Sequence, residues 1–388
     1  MSGCPSPPTG AACRRRAPWV RPHGMESIVV DMSVGHARTG TRATGLPPFI
    51  DRAFHAAVEE AARHVGATAP NPPVGCAILD DVGEILCVGA HHRAGTPHAE
   101  ARAIALCREL GLIERARTIV VTLEPCNHTG RTGPCSQAIM HTPIRTVWIG
   151  AADPNPNIVG GGADYLRNAG CDVRFLSGYD TPDARWLAQQ CRSLIVPFAR
   201  LTRTGKAWIT VKQALDATGS MIPPAGRTTF TSATALDLAH RLRRATDAVV
   251  TATGTIATDR PGLDVRRIPD HPDRMPRLLA ICTTRGQVDG EYADAARARG
   301  FDVRTCADVR DLPELLGQAG AMWALVEAGP GLLAALREHD IWDDWLTIGV
   351  RPDGTETLDV AIRTGTDTPL RLFRELNTPK GTACFQGS

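Results

Sequence analysis

The apolar positions of this 388-residue chain switch repeatedly between helical and strand spacing. From Phe49, the residues Ile50, Phe54, Ala57, Val58, Ala61 and Val65 recur at helical intervals, and Gly66 is a fitting stop. Pro70 to Gly75 reads as a rigid turn into the strand Val74–Leu79, and Asp80 to Gly83 turns the chain into Ile85–Gly89, a hairpin. A helix is expected over Pro97–Leu110, with Thr96 as N-cap and Pro97 at its first position. The strand Thr118–Leu123, a Gly- and Pro-rich loop, the helix Cys135–His141 and the strand Thr146–Gly150 follow. Then come the turn Asp153–Asn157, a helix around Ala163–Ala169 and the strand Asp172–Leu176. This alternation indicates a three-layer α/β domain over 49–196. Residues 197–206 are polar, basic and without periodicity, so they read as a linker. A second α/β pattern fills 207–388, with strands at Trp208–Lys212, Asp247–Thr251, Arg277–Cys282 and Trp323–Glu327 and a helix at Ser232–Ala245.

Length agrees with two domains, since the chain exceeds one ordinary core. Its 43 basic and 41 acidic side chains leave a net charge of +2, which gives no support for nucleic acid or an anionic membrane as partner. No apolar run is long enough to span a bilayer. The 12 cysteines are irregularly spaced and no secretory segment precedes them, so reduced thiols in a cytoplasmic enzyme are expected. Cys76, Cys87 and Cys107 lie in apolar surroundings and read as core. Residues 1–48 differ from the rest: they carry Arg14-Arg15-Arg16, scattered Pro and Gly, and almost no acids. They read as a disordered or non-native extension, with Met25 and Met32 as alternative starts.

The candidate chemistry lies between Thr96 and Cys135. His98, Cys126 and Cys135 supply one imidazole and two thiolates, and three protein ligands leave a zinc ion one open position. Water there is acidified by the metal, and Glu100, two residues from His98, can take the proton. Each residue alone is a weak signal, because a lone His-x-Glu is common and Cys is often a small buried hydrophobe. The ordered set of helix N-terminus, strand, Pro-Cys, loop and Cys is the parts list of a hydrolytic zinc deaminase. Here a long insert, in place of two residues, separates the cysteines and is expected to shape the substrate pocket. In the second half, Glu327-Ala328-Gly329-Pro330-Gly331 is a strand-to-helix turn that fits either a phosphate cradle or a tight βα turn.

Pro70-Asn71-Pro72-Pro73-Val74-Gly75, His98-Ala99-Glu100 and the run Glu124 to Cys135 resemble the deaminase half of the bifunctional riboflavin-biosynthesis deaminase-reductases. Lys212, Leu242-Arg243, Gly254-Thr255, Asp259 to Leu263, Val265-Arg266 and Glu327 to Pro330 resemble, in order and spacing, the reductase half. The resemblance implies a cytidine-deaminase-like domain followed by a dihydrofolate-reductase-like α/β domain. It implies zinc (Zn2+) on His98, Cys126 and Cys135, Glu100 as proton shuttle, and substrate contacts at Asn71, His128 and Arg131. It implies NADPH contacts at Ala214, Thr255, Asp259 and Gly329, Pro330, Gly331, Leu332 and Leu333. Substrate contacts in that half would fall to Lys212, Arg243, Leu263, Arg266 and Glu327, with the two arginines suited to the ribose phosphate. Two departures stand out: Arg260 replaces the second of two usual Asp, and Leu215 to Met221 replaces the usual Ser-Leu-Asp-Gly.

The implied activity is deamination of 2,5-diamino-6-ribosylamino-4(3H)-pyrimidinone 5′-phosphate. NADPH-dependent reduction of the ribosyl chain follows, giving 5-amino-6-ribitylamino-uracil 5′-phosphate. A cytoplasmic homo-oligomer acting on a small phosphorylated pyrimidine is expected. Two rival readings are a zinc deaminase of another nucleoside or base with a catalytically silent second domain, and a noncatalytic binding regulator.

Overall fold

The computed structural model describes residues 45–127, 133–155, 161–227, 229–272, 274–284, 286 and 288–376. The expectations for residues 1–44 and for His128 and Arg131 therefore lie outside the described residues.

The first unit contains α1 (Pro48–Ala62), β1 (Gly75–Leu79), β2 (Ile85–Ala90), α2 (Ala99–Glu109), β3 (Thr118–Leu123), α3 (Cys135–Met140), β4 (Thr146–Ala151), α4 (Gly162–Asn168) and β5 (Asp172–Phe175). Its sheet runs β2-β1-β3-β4-β5. The pairs β1/β2 and β1/β3 are antiparallel, whereas β3/β4 and β4/β5 are parallel. The inner strands are buried along almost their whole length, as expected of a sheet covered on both faces. α1 turns Ile50, Phe54 and Val58 onto one face of this sheet, each burial stabilising by roughly 1.5–3 kcal/mol. α2, α3 and α4 cover the other face, around Ile104, Ile119, Ile139 and Leu166. Gly75 is a close approach: a Cβ there would meet the Ala57 carbonyl oxygen at 1.9 Å, so a larger residue would push α1 off the sheet.

The second unit follows α5 (Pro182–Thr204) and contains β6 (Trp208–Leu215), α6 (Ala233–Ala245), β7 (Ala248–Ala252), α7 (Thr253–Asp259), β8 (Arg277–Cys282), α8 (Gly290–Ala298), β9 (Phe301–Cys306), α9 (Leu312–Gln318), β10 (Trp323–Val326), α10 (Pro330–Glu338), β11 (Asp344–Val350) and β12 (Glu356–Ile362). The strand order is β12-β11-β6-β10-β7-β8-β9, parallel except for the edge strand β12. Both α/β units match the expected fold class.

Two expectations are corrected. The segment 197–206 is not an aperiodic linker: α5 continues through Pro197 to Thr204. Proline normally breaks a helix interior. Here Leu194, Ile195 and Pro197 are buried, and packing overrides the local penalty. Gly205, left-handed at φ +69°, ends the helix and donates its N–H to Leu201 O at 2.7 Å. α2 also starts later than expected. His98, not Thr96, is its N-cap residue, and the Thr96 hydroxyl instead donates to Arg93 O at 2.8 Å.

One hydrophobic cluster runs through both units, joining α1 and α5 to Leu238 and Leu242 of α6 and to Trp208, Trp323 and Leu346 of the second sheet. At its edge His271 Nε2 donates to Val65 O at 2.8 Å, and Arg244 donates to Arg63 O at 3.2 Å. Gly66, at φ +86°, lies here too, where a Cβ would strike Arg244 O at 2.3 Å. Among the described residues no helix is long and apolar enough to cross a membrane.

Candidate active sites

The first site is built at the ends of three elements. β3 delivers Glu124, whose backbone N–H continues the ladder to Ala151 O at 2.9 Å. The Glu124 carboxylate accepts from Ala163 N at 3.0 Å and Asp153 N at 3.3 Å, tying the strand end to the start of α4. This fixes Pro125-Cys126. Cys135 opens α3, its N–H donating to Cys126 Sγ at 3.4 Å, while Ser136 N donates to Cys126 O at 3.2 Å. His98, at the N-cap of α2, places Nδ1 3.5 Å from Cys126 Sγ and 3.5 Å from Cys135 Sγ.

These distances fit a tetrahedral zinc. With Zn–N of about 2.05 Å and Zn–S of about 2.3 Å, a tetrahedral angle separates nitrogen from sulfur by about 3.6 Å. Hydrogen bonds with Cys135 and His98 hold the Cys126 thiol down against burial, and the same contact with Cys126 pushes the Cys135 thiol up. Both helix N-termini favour negative charge at this point. Glu100, in the first turn of α2, is only 3% exposed. Burial, aided by the negative charge of Cys126, pushes its carboxyl up to about 7.

One neighbour had no signature in the sequence. His91 is 2% exposed and lies edge-on to His98, ring centroids 5.4 Å apart and planes at 82°. Its Nδ1 lies 3.2 Å from Pro97 O, which only accepts, so Nδ1 carries the proton and Nε2 accepts from Asn71 Nδ2 at 3.3 Å. Burial lowers this imidazole to about 4, so it is neutral at pH 7. Asn71 thus reaches His98 of the candidate metal group through His91. A lone His after a strand carries no spacing signal, which is why sequence reading passed over it.

The second site gathers Lys212 from β6, Arg243 from α6 and Glu327 from the end of β10. Lys212 Nζ donates to Glu327 Oε1 at 3.0 Å, while Arg243 donates through Nε at 2.5 Å and Nη2 at 3.2 Å. Burial alone would raise the Glu327 carboxyl, but Arg243 and Lys212 override it and hold it down to about 2. Arg243 also donates to Asp264 O at 3.1 Å, so most of its guanidinium is committed to the protein. Arg266 differs: its side chain is 59% exposed, pairs with Asp264 at 2.5 Å, and its backbone N–H donates to His240 Nδ1 at 3.1 Å.

Nearby, Thr255 Oγ1 of α7 accepts from Gly329 N at 2.9 Å and fixes the N-cap of α10. A Cβ at Gly331 would meet nothing within 4 Å, so the start of α10 is open for a ligand. Leu332 and Leu333 bury their side chains, so a ligand there meets backbone. Leu263 is buried as well, with its backbone left-handed at φ +57°. Ala214 lies on β6, and Asp259 is exposed at the end of α7. The departure at Arg260 has partners: its guanidinium pairs with Asp289 at 2.7 Å and Glu291 at 3.5 Å.

Comparison with known proteins agrees with both halves. The cytidine and deoxycytidylate deaminase zinc-binding region matches residues 49–151. The riboflavin biosynthesis protein RibD of Corynebacterium ammoniagenes is 35% identical over 311 residues, covering 79% of this chain and 87% of that protein. RibD of Escherichia coli K12 is 35% identical over 358 residues, covering 82% and 93%. Among solved structures, Acinetobacter baumannii RibD superposes with a TM-score of 0.65 at 26% identity, covering 78% of this chain and 87% of that one. The diaminohydroxyphosphoribosylaminopyrimidine deaminase/5-amino-6-(5-phosphoribosylamino)uracil reductase of Thermotoga maritima has a TM-score of 0.67, covers 86% and 93%, and at 24% identity speaks for the fold. With relatives this similar over most of their length, the chain belongs to the RibD family of bifunctional riboflavin-biosynthesis deaminase-reductases.

Proposed function

We propose that the chain performs two consecutive steps of riboflavin biosynthesis, with deamination in a unit spanning about residues 49–196 and reduction in one spanning 207–388. The observation that carries the reading is the equal 3.5 Å spacing of His98 Nδ1 from two thiols beside a buried carboxyl. His98, Cys126 and Cys135 hold zinc, which when bound acidifies a water molecule. Glu100 receives the proton and passes it toward the departing amino group, a role suited to a carboxyl held near 7. Asn71, set by His91, orients the pyrimidine, and His128 and Arg131 of the inter-cysteine insert contact the substrate.

In the second unit NADPH supplies the hydride. Ala214, Thr255, Asp259 and the backbone from Gly329 to Leu333 hold it. Lys212, Leu263, Arg266 and Glu327 face the phosphorylated ribosyl substrate, and Arg243 fixes Glu327. We place the enzyme in the cytoplasm as a homo-oligomer, without nucleic-acid or membrane partners.

The test supplies purified protein with the diaminopyrimidine phosphate and NADPH. Ammonia release followed by NADPH oxidation supports both steps. Ammonia release without oxidation leaves a deaminase with a silent second unit, and turnover of cytidine or guanine in preference moves the substrate elsewhere.

A further inference from the structure

A second cluster of metal-binding side chains lies apart from His98, Cys126 and Cys135. Glu60, His64 and His92 bring one ligand atom each within 4.8 Å of the others. Glu60 stands near the end of α1 with His64 four residues later, and His64 Nε2 lies 3.5 Å from Glu60 Oε1. The second oxygen of Glu60 is taken by Arg63 at 2.6 Å, which leaves Oε1 on the imidazole side. His92 comes from the chain leaving β2, which packs on α1. Its ring stacks on His64, with centroids 4.1 Å and planes 15° apart.

We propose that Glu60, His64 and His92 form a second site for a divalent transition-metal ion of the zinc, cobalt or nickel class. Two imidazole nitrogens with one carboxylate oxygen suit such borderline ions, and three ligands are too few for a calcium cage. Burial lowers both imidazoles from their ordinary value, so each offers a lone pair at neutral pH. Parallel stacked rings do not aim their lone pairs at one point, so binding rotates one ring and gives up the stack. Side-chain exposures of 21% for His64 and 24% for Glu60 leave room for this movement and for exchange with solvent.

The site is the weaker of the two. It lacks thiolates, and the charges of Arg102 and Arg244 bear on His64. Arg244 belongs to α6 and donates to Arg63 O, which puts the cluster where the end of α1 meets the second unit.

Cobalt(II) separates the two sites by colour. Titrated into the metal-free full chain, the first equivalent goes to His98, Cys126 and Cys135 and gives thiolate-to-cobalt charge transfer. A second equivalent, bound at least roughly tenfold more weakly, adds only ligand-field bands. The double variant His64→Ala/His92→Ala is expected to lose the second equivalent and keep the charge-transfer band, which also reports that the first site still folds. Glu60→Gln is expected to weaken the second equivalent by roughly ten- to hundredfold. Saturation of the wild-type chain at one equivalent would overturn the proposal, as would a second equivalent that persists in the double variant.

Discussion

The backbone N–H of Cys135 donates to the sulfur of Cys126 at 3.4 Å, although nine positions separate the two residues. The start of α3 thus closes onto the end of β3. With His98 Nδ1 3.5 Å from each sulfur, both nitrogen–sulfur separations are those a tetrahedral zinc requires. Replacing Cys126 or Cys135 with Ser removes a soft ligand from this set. Each variant is expected to lose its tightly held zinc and its ammonia release. Elemental analysis after chelator treatment checks this, and wild-type zinc content in both variants would remove these residues from the site.

Glu100→Gln separates binding from chemistry. The side chain is not among the three clustered donors, so zinc content is expected to stay at the wild-type level. Deamination is expected to fall by roughly 10²–10⁴-fold, as when a positioned proton carrier is lost. NADPH oxidation with the deaminated substrate supplied directly should continue at the wild-type rate.

The two arginines first assigned to the phosphate have different settings. Arg243 is mostly buried and pairs with the buried Glu327, so Arg243→Ala leaves that carboxylate with Lys212 alone. Breaking a buried pair is expected to destabilise the chain by roughly 3–5 kcal/mol, measured by urea unfolding. Arg266 is exposed, and Arg266→Ala is expected to change stability by less than about 1 kcal/mol. Its effect should appear as a KM for the phosphorylated substrate raised roughly ten- to hundredfold, with NADPH affinity unchanged. Gly331→Val is expected to do the reverse. The added side chain meets no protein atom at its Cβ, so the loss falls on the cofactor.

Glu327 also predicts an acid response. Its folded-state pKa is depressed to about 2 from an ordinary 4.5. The stabilisation is therefore complete above about 4.5 and is lost as pH falls toward about 2. Glu327→Gln should be less stable than wild type at pH 7, and its stability should fall less steeply below pH about 4.5. Urea midpoints across this range check the difference in slope.

What the sequence disclosed depended on local pattern. The spacing of Ile50, Phe54 and Val58 marked α1, and the Thr118–Leu123 strand kept its expected ends. The candidate zinc donors stood out because an ordered set of His and Cys has few other uses, and the structure brings them within 4.8 Å of one another. Pro197 misled, since its penalty is local while the burial that carries α5 through it comes from distant residues. The N-terminus of α2 shifted from Thr96 to His98 for a local reason: the Thr96 hydroxyl donates to Arg93 O. The hairpin of β11 and β12 had no counterpart among the strands expected from the sequence. The commitment of Arg243 to Glu327 depends on a partner 84 positions along the chain, and the role of His91 depends on how the fold sets it between Asn71 and His98, which its neighbours in sequence do not mark.

The most direct test of the bifunctional account supplies the deaminated pyrimidine phosphate to the wild-type chain and follows NADPH absorbance. The account predicts one NADPH oxidised per substrate reduced, together with ammonia release from the diamino substrate in a parallel reaction. Intact ammonia release with no NADPH oxidation would contradict it.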